Sequence, residues 1–393
     1  MPNGIHDRLV EKAYDQRLAL IGVFELSPLC NFTCRMCYVR QNEEQVREKG
    51  GLKPLSFWLS CAEQAKDAGC LFPLITGGEP LAYPHFREFY TALRNMGMQV
   101  SINSNGSLID DAQVNWLVTN PPVRINITLY GGSREAYGRQ CGNPDAFDRV
   151  IRAADLLHEA GILFQFNCSL TPYNAQDLER MLDIAKRYER GLRVSTYMFP
   201  PYRSAGKIGD YQDRLTPEQA AYCQAKTDFY QLPADRFRVI AQNAMTYTEP
   251  SAEQLKAAEE GEPAEMGCLS GRCSFWLDWQ GNLSGCGVNT NPHFSLETHS
   301  FADAWQRIVD HTNAFTFSPA CSNCVNRDLC FYCAACVFNE TGSFNGRPQY
   351  LCEKTRYAAK WYGEFLKLLP DTGEMDADEK AQVPLPACPI DAF

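Results

Sequence analysis

The sequence has no apolar run long enough to cross a bilayer, no basic N-terminal segment leading into an apolar stretch, no surplus of basic residues and no internal repeat. A helical span takes about 20 consecutive, mostly apolar residues, so a membrane-spanning helix is excluded. Without a secretion signal, the expected compartment is the cytoplasm. The formal net charge of −10 argues against a nucleic-acid partner, which selects for basic surface. The missing repeats set aside stacked-repeat architectures. The 393 residues are otherwise ordinary, 45% hydrophobic and 21% charged, with room for two domains and a linker.

Cysteine is the exception. There are 18, many for a reducing compartment, where clustered cysteines point to metal or catalysis rather than disulfides. Three lie at 30–37 and nine between 268 and 352. The other six (Cys61, Cys70, Cys141, Cys168, Cys223, Cys388) are scattered. A disulfide framework has no need of such clumping.

The first group, Cys30-Asn-Phe-Thr-Cys34-Arg-Met-Cys37-Tyr38, is spaced Cys-x3-Cys-x2-Cys with an aromatic residue next. Three thiolates this close can hold three irons of one [4Fe-4S] cube. Most cubes have four cysteine ligands, so here the fourth iron is left open to bind a substrate or cofactor. A zinc knuckle or a plain loop competes with this reading of the triad alone.

Around the triad, strands and helices alternate. Apolar runs at 20–26, 71–75, 98–103, 123–129, 162–170 and 192–198 are expected to be buried strands. Between them, Pro54-Leu-Ser56 opens a helix that Gly69 closes, and Phe86, Phe89, Tyr90 and Leu93 form a helical stripe before Gly97. Phe147, Val150, Ile151 and Ala154 repeat the pattern before Gly161. Asn174 is placed to cap a helix with the stripe Leu178, Leu182 and Ala185, closed by Gly191. Six βα units imply an α/β fold, a parallel sheet with helices packed outside. The expected organisation is an N-terminal extension 1–19, a barrel 20–205, a bridging region 206–262, a cysteine-rich domain 263–355, and a helix with a loosely held acidic tail over 356–393.

Thr76-Gly77-Gly78-Glu79-Pro80 follows the second strand. Two glycines let a ligand approach the backbone closely, and Glu79 can accept hydrogen bonds from an ammonium group. A plain Gly-Pro turn is the alternative. With the cysteine triad, this motif resembles the radical S-adenosylmethionine (SAM) superfamily. The resemblance implies a partial (β/α)6 TIM-like barrel, with the cluster loop after the first strand and the site at the C-terminal ends of strands. It implies that SAM chelates the open iron and that one electron cleaves it to methionine and a 5′-deoxyadenosyl radical. It assigns Gly77, Gly78, Glu79 and Pro80 to the SAM amino group. It places Ser104 and Asn105 (in Ser-Asn-Gly) and Thr128 near SAM, Arg139 at the SAM carboxylate and Tyr38 near the adenine. Ordinary loop, strand or packing roles compete for each of these.

The later cysteines run Cys268-x4-Cys273, Gly281-x4-Cys286, then Cys321-x2-Cys324-x5-Cys330-x2-Cys333-x2-Cys336, then Cys352. The central piece alone suits a zinc ribbon. The whole order resembles the SPASM extension of radical SAM enzymes, which holds two auxiliary [4Fe-4S] clusters. By that resemblance, Cys268, Cys273, Cys286 and one later cysteine hold the first cluster. Cys321, Cys324, Cys330 and Cys352 hold the second. The common pattern requires a cysteine at 334, where this chain has Ala. Cys333 is taken as the ligand, and Cys336 stays open as the alternative or a spare thiol.

The resemblance thus implies SAM and three [4Fe-4S] clusters, fed by an electron donor such as flavodoxin or ferredoxin. SPASM relatives mostly act on ribosomally made peptides or proteins, forming thioethers or carbon–carbon crosslinks, epimerising residues, or making formylglycine. Formylglycine formation is disfavoured, because its pattern has Asp after the third auxiliary cysteine and Gly287 follows Cys286 here. Only 29 residues precede Cys30, so no leader-binding winged helix is expected there, and a separate recognition protein, or none, is implied. An epimerase needs a thiol hydrogen donor; Cys141, Cys223 and Cys336 are candidates, with buried packing as the competing reading. Tyr197-Met-Phe-Pro-Pro-Tyr-Arg203 is a candidate substrate-cleft lining or an interdomain turn. A different class, a non-catalytic iron–sulfur or zinc protein that binds a partner or carries electrons, predicts no SAM cleavage.

Overall fold

A computed structural model describes residues 4–199, 213–265, 267–370, 373–387 and 389–390. Six strands carry the barrel: β1 (Ile21–Glu25), β2 (Phe72–Thr76), β3 (Ser101–Ser104), β4 (Arg124–Thr128), β5 (Phe164–Ser169) and β6 (Leu192–Ser195). Four fall inside apolar runs marked in the sequence, β2 and β3 each end one residue beyond theirs, and each strand pairs in parallel with the next. The architecture is a parallel α/β sheet of the partial-barrel type, with helices between successive strands.

The sheet does not stop there. β7 (Ser274–Leu277) pairs in parallel with β1, and β8 (Asn282–Ser284) and β9 (His293–Ser295) follow antiparallel. The order is β6-β5-β4-β3-β2-β1-β7-β8-β9. The cysteine-rich region therefore begins on the barrel's own sheet. Phe24 fixes this junction, meeting Phe89 of the helix layer at 5.6 Å and Phe275 of β7 at 5.8 Å, both edge-on. Burying a ring of this size stabilises by about 1.5–3 kcal/mol.

The expected stripe of the helix Phe86–Asn95 is buried throughout: Phe86, Phe89, Tyr90 and Leu93. The helix Leu55–Asp67 starts after Pro54 and ends before Gly69, as expected. Asn174 departs from expectation. It caps nothing; its side chain accepts from the Thr171 N–H at 2.8 Å and donates to the carbonyls of Tyr130 and Ser169. The helix Leu178–Arg187 is turned off by Glu189, at φ 54°, before Gly191 is reached.

Beyond β6, the helices Pro217–Gln231 and Gln349–Leu366 pack together through Tyr222 on Trp361 and Phe229 on Phe365. The described part of the tail is docked rather than loose. Pro386 and Pro389 carbonyls accept from Tyr222 and Gln219, and Ile390 is buried. No helix among the described residues is long and apolar enough to cross a membrane.

Candidate active site

The cysteine loop leaves the C-terminal end of β1 and is pinned on two sides. On one, the Gly78 N–H donates to the Ser27 carbonyl at 2.7 Å and the Glu79 N–H to that of Leu29 at 3.0 Å. On the other, the N–H groups of Thr33 and Arg35 donate to the carbonyls of Cys141 and Gln140, at 3.1 and 3.2 Å. These carbonyls end the helix Arg134–Cys141, where helical acceptors lack internal partners. Gly77 and Gly78 are required here by the loop's own backbone. A Cβ on Gly78 would lie 2.3 Å from the Leu29 carbonyl oxygen, and one on Gly77 would lie 2.4 Å from that of Ser27.

The three thiols lie within electrostatic reach of one another. Burial pushes Cys30 up to about 12, with Glu79 and Cys37 adding to it. Burial likewise raises Cys37. Cys34 is raised by its hydrogen bond to Cys141, then by burial and by Cys37. Backbone N–H groups of Phe32 and Arg40 point at the Cys30 and Cys37 sulfurs, at 3.4 and 3.2 Å, and the Asn105 amide approaches Cys30 at 3.7 Å. Three enclosed thiols met by N–H donors suit an iron–sulfur cluster, whose irons make thiolates favourable where bare ones are costly. Among the described residues, no three His, Cys, Asp or Glu side chains are gathered on a single metal ion. A cube does not ask for that, because each thiolate takes its own iron.

Glu79 is fully buried beside this loop. Its carboxylate accepts from Ser104 Oγ at 2.9 Å, the Asn105 N–H at 2.7 Å and the Leu81 N–H at 3.1 Å. Burial still dominates and pushes it up to about 7. Pro80 opens the short turn that follows. Thr128 ends β4 beside Asn167 of β5, whose side-chain oxygen is buried without a hydrogen-bond partner. Arg139 lies on the helix that anchors the loop, with its guanidinium on the Tyr173 carbonyl at 3.1 Å and on Glu135 at 2.6 Å. Tyr38 is half-buried on the loop.

The three candidate hydrogen-donor thiols, Cys141, Cys223 and Cys336, are all buried. Cys141 stands behind the cluster loop. Cys223 lies in the helix layer near Cys168, whose own sulfur contacts Met181 at 3.6 Å. Of the candidate cleft segment, Pro200–Arg203 lies outside the described residues.

The later cysteines gather in two sets. Cys268, Cys286 and Cys333 line one cavity with Thr312 and Phe315. Cys273 is buried against Ala13 and Leu20, within electrostatic reach of Cys268. Cys336 hydrogen-bonds Cys333 and holds that thiol down to about 6. Cys324, Cys330 and Cys352 line a second cavity, and Cys321 feels both Cys352 and Cys324. Arg347 hydrogen-bonds Cys352. Between these sets and β1, Trp276 donates to the buried Glu25 carboxylate at 3.0 Å. A Cβ at Gly287 would lie 2.5 Å from the Trp276 ring, so the aspartate of the formylglycine pattern would collide there. Sequence reasoning missed Glu25 at the end of β1, Asn167 within β5 and Tyr130 in the loop after β4, since single residues of these kinds carry no distinctive spacing.

A parallel partial barrel with three thiols on the loop after its first strand is the arrangement of a radical SAM domain. Residues 24–185 match the family model described as Radical SAM superfamily; this part of the chain is a radical SAM domain, and the protein is a radical SAM enzyme. It binds SAM and a [4Fe-4S] cluster. It is similar to the AdoMet-dependent heme synthase of Methanosarcina barkeri, 23% identical over 70% of this chain and 81% of that protein. It is also similar to the PqqA peptide cyclase of Rhizobium meliloti, 24% identical over 47% of this chain and 48% of that one. Among solved structures, Streptococcus suis SuiB bound to its precursor peptide SuiA aligns with a TM-score of 0.61 at 18% identity, covering 88% of this chain and 80% of that one. At that identity the likeness shows the fold.

Proposed function

We propose that the enzyme reductively cleaves SAM and uses the 5′-deoxyadenosyl radical to take hydrogen from a ribosomally made peptide or protein, leaving a thioether or carbon–carbon crosslink or an epimerised residue. The observation that carries this is the pairing of one cysteine triad at the barrel mouth with two later cysteine sets, in a chain similar to a peptide cyclase and folded like a peptide-bound enzyme. Cys30, Cys34 and Cys37 hold the cluster that supplies the electron. Gly77, Gly78, Glu79 and Pro80 take the SAM amino group, and Arg139 its carboxylate. Ser104, Asn105 and Thr128 line the same pocket, and Tyr38 lies by the adenine. Glu79 is buried and must give up its proton to receive an ammonium group. Cys268, Cys273, Cys286 and Cys333 hold one auxiliary cluster; Cys321, Cys324, Cys330 and Cys352 hold another. A low-potential donor such as flavodoxin or ferredoxin supplies electrons, and leader recognition falls to a separate protein if it is needed.

The test is anaerobic reconstitution with a precursor peptide encoded beside the gene, read by mass spectrometry. A crosslink appears as loss of two hydrogens, and epimerisation as deuterium uptake from heavy water at otherwise unchanged mass. Unaltered peptides in every case contradict the reading. A second reading, a heme precursor as substrate, is favoured by the longer alignment with the heme synthase. The same enzyme given an iron-porphyrin precursor would then form heme, read by its absorbance.

A further inference from the structure

We propose that Arg193 and Arg124, on the inward face of the barrel, hold a carboxylate of the substrate, an inference that rests on the function proposed above.

Strand alternation sets the face. Phe164 and Phe166 of β5 turn outward and meet Tyr188, which follows the helix Leu178–Arg187, at 5.7 and 5.8 Å. Asn167 therefore turns inward. Ile125 and Ile127 of β4 and Leu192 of β6 are buried in the same core, which turns Arg124, Asn126, Thr128 and Arg193 inward. Register then sets Thr128, Asn167 and Arg193 in one row across β4, β5 and β6. Two strand spacings, about 10 Å, separate Arg193 from Thr128, the residue proposed to lie beside SAM. Arg124 opens β4 below that row.

The face lacks a counter-charge. No inward residue of β3–β6 is acidic. Arg124 donates through Nε to Asn126 Oδ1 at 2.9 Å, and Asn126 donates in turn to Asn103 Oδ1 at 2.7 Å. That chain fixes the Arg124 guanidinium on the inward face, where burial and then the charge of Arg193 hold it below its ordinary value. Neither arginine has an acidic partner among the described residues. Arg193 is exposed. At the open edge of the sheet, the Leu192 N–H and carbonyl are already covered by the Gln231 side chain, at 2.6 and 2.9 Å, so a charge is not needed to guard that edge. Two cations kept together without an acid suit an anion, and a planar guanidinium matches a carboxylate. Both substrates considered above carry carboxylates: the acidic side chains or C-terminus of a peptide, and the acid side chains of a porphyrin precursor.

Full-length protein, anaerobically reconstituted and SAM-bound, is titrated calorimetrically with two matched pairs. One is a capped Glu-Glu dipeptide against its Gln-Gln counterpart; the other is a porphyrin tetracarboxylic acid against its tetra-amide. In one pair the acid should bind about tenfold tighter than the neutral form, and that pair names the source of the carboxylate. Arg193→Gln and Arg124→Gln should lose the preference at wild-type iron content, and Arg193→Lys should keep part of it. Equal binding of acid and neutral forms in both pairs, or a preference that survives in the double Gln variant, overturns the inference. The wild-type comparison stands without any variant, so a misfolded one does not rescue it. 5′-Deoxyadenosine formation by the same wild-type sample separates the two proposals. Its absence brings down the proposed function and this inference together; its presence without a carboxylate preference brings down this inference alone.

Discussion

The Asn105 backbone N–H donates to the Glu79 carboxylate at 2.7 Å, tying the end of β3 to the turn after β2. Ser104 adds a second bond to the same carboxylate. One buried acid thus ties together the turns after β2 and β3.

Its ionisation predicts a pH dependence. Burial raises the folded-state value to about 7 from 4.5, so the folded protein holds its proton more tightly than the unfolded chain. Between those values stability falls as pH rises, and it levels off above about 7. Binding of an ammonium group favours the carboxylate, so SAM affinity should rise with pH up to about 7. It should weaken by up to about tenfold per pH unit below that. Calorimetric titration of the reconstituted enzyme with SAM checks this. Glu79→Gln should bind more weakly with a flat profile; a flat wild-type profile would remove Glu79 from the SAM site.

Gly78→Ala should unseat the cysteine loop. The added methyl would lie 2.3 Å from the Leu29 carbonyl, and such overpacking costs about 1–3 kcal/mol. The variant should lose about a third of its iron, four atoms of about twelve for three cubes. Iron and sulfide assays measure it directly. Full iron in a well-folded variant would show that the loop can shift.

Cys333→Ser and Cys336→Ser should part company. Cys333 lines the cavity with Cys268 and Cys286, while Cys336 stands behind it and is 1% exposed. Cys333→Ser should lose or perturb one auxiliary cluster, seen as a fall of up to four irons. Cys336→Ser should keep its iron content. The reverse pattern would make Cys336 the ligand.

The barrel was legible because each parallel strand is a short apolar run followed by an amphipathic helix with its own stop signal. Phe86, Phe89, Tyr90 and Leu93 face inward at their expected spacing. The pairing of β7 with β1 was not legible, since Ile21 and Ser274 lie far apart in sequence and strand order leaves no local mark. Asn174 carries an N-cap composition, yet its amide is drawn to the Tyr130 and Ser169 carbonyls, a tertiary contact that local propensity cannot anticipate. At the site, spacing picked out Cys30, Cys34 and Cys37. The Gln140 and Cys141 carbonyls that pin the loop come from a distant helix end and are visible only in three dimensions.

The most direct measurement is 5′-deoxyadenosine formed from SAM by the dithionite-reduced, reconstituted protein. Wild type should produce it. Cys34→Ala should produce none while keeping about eight auxiliary irons. Cleavage retained in Cys34→Ala, or absent from iron-replete wild type, would contradict the account.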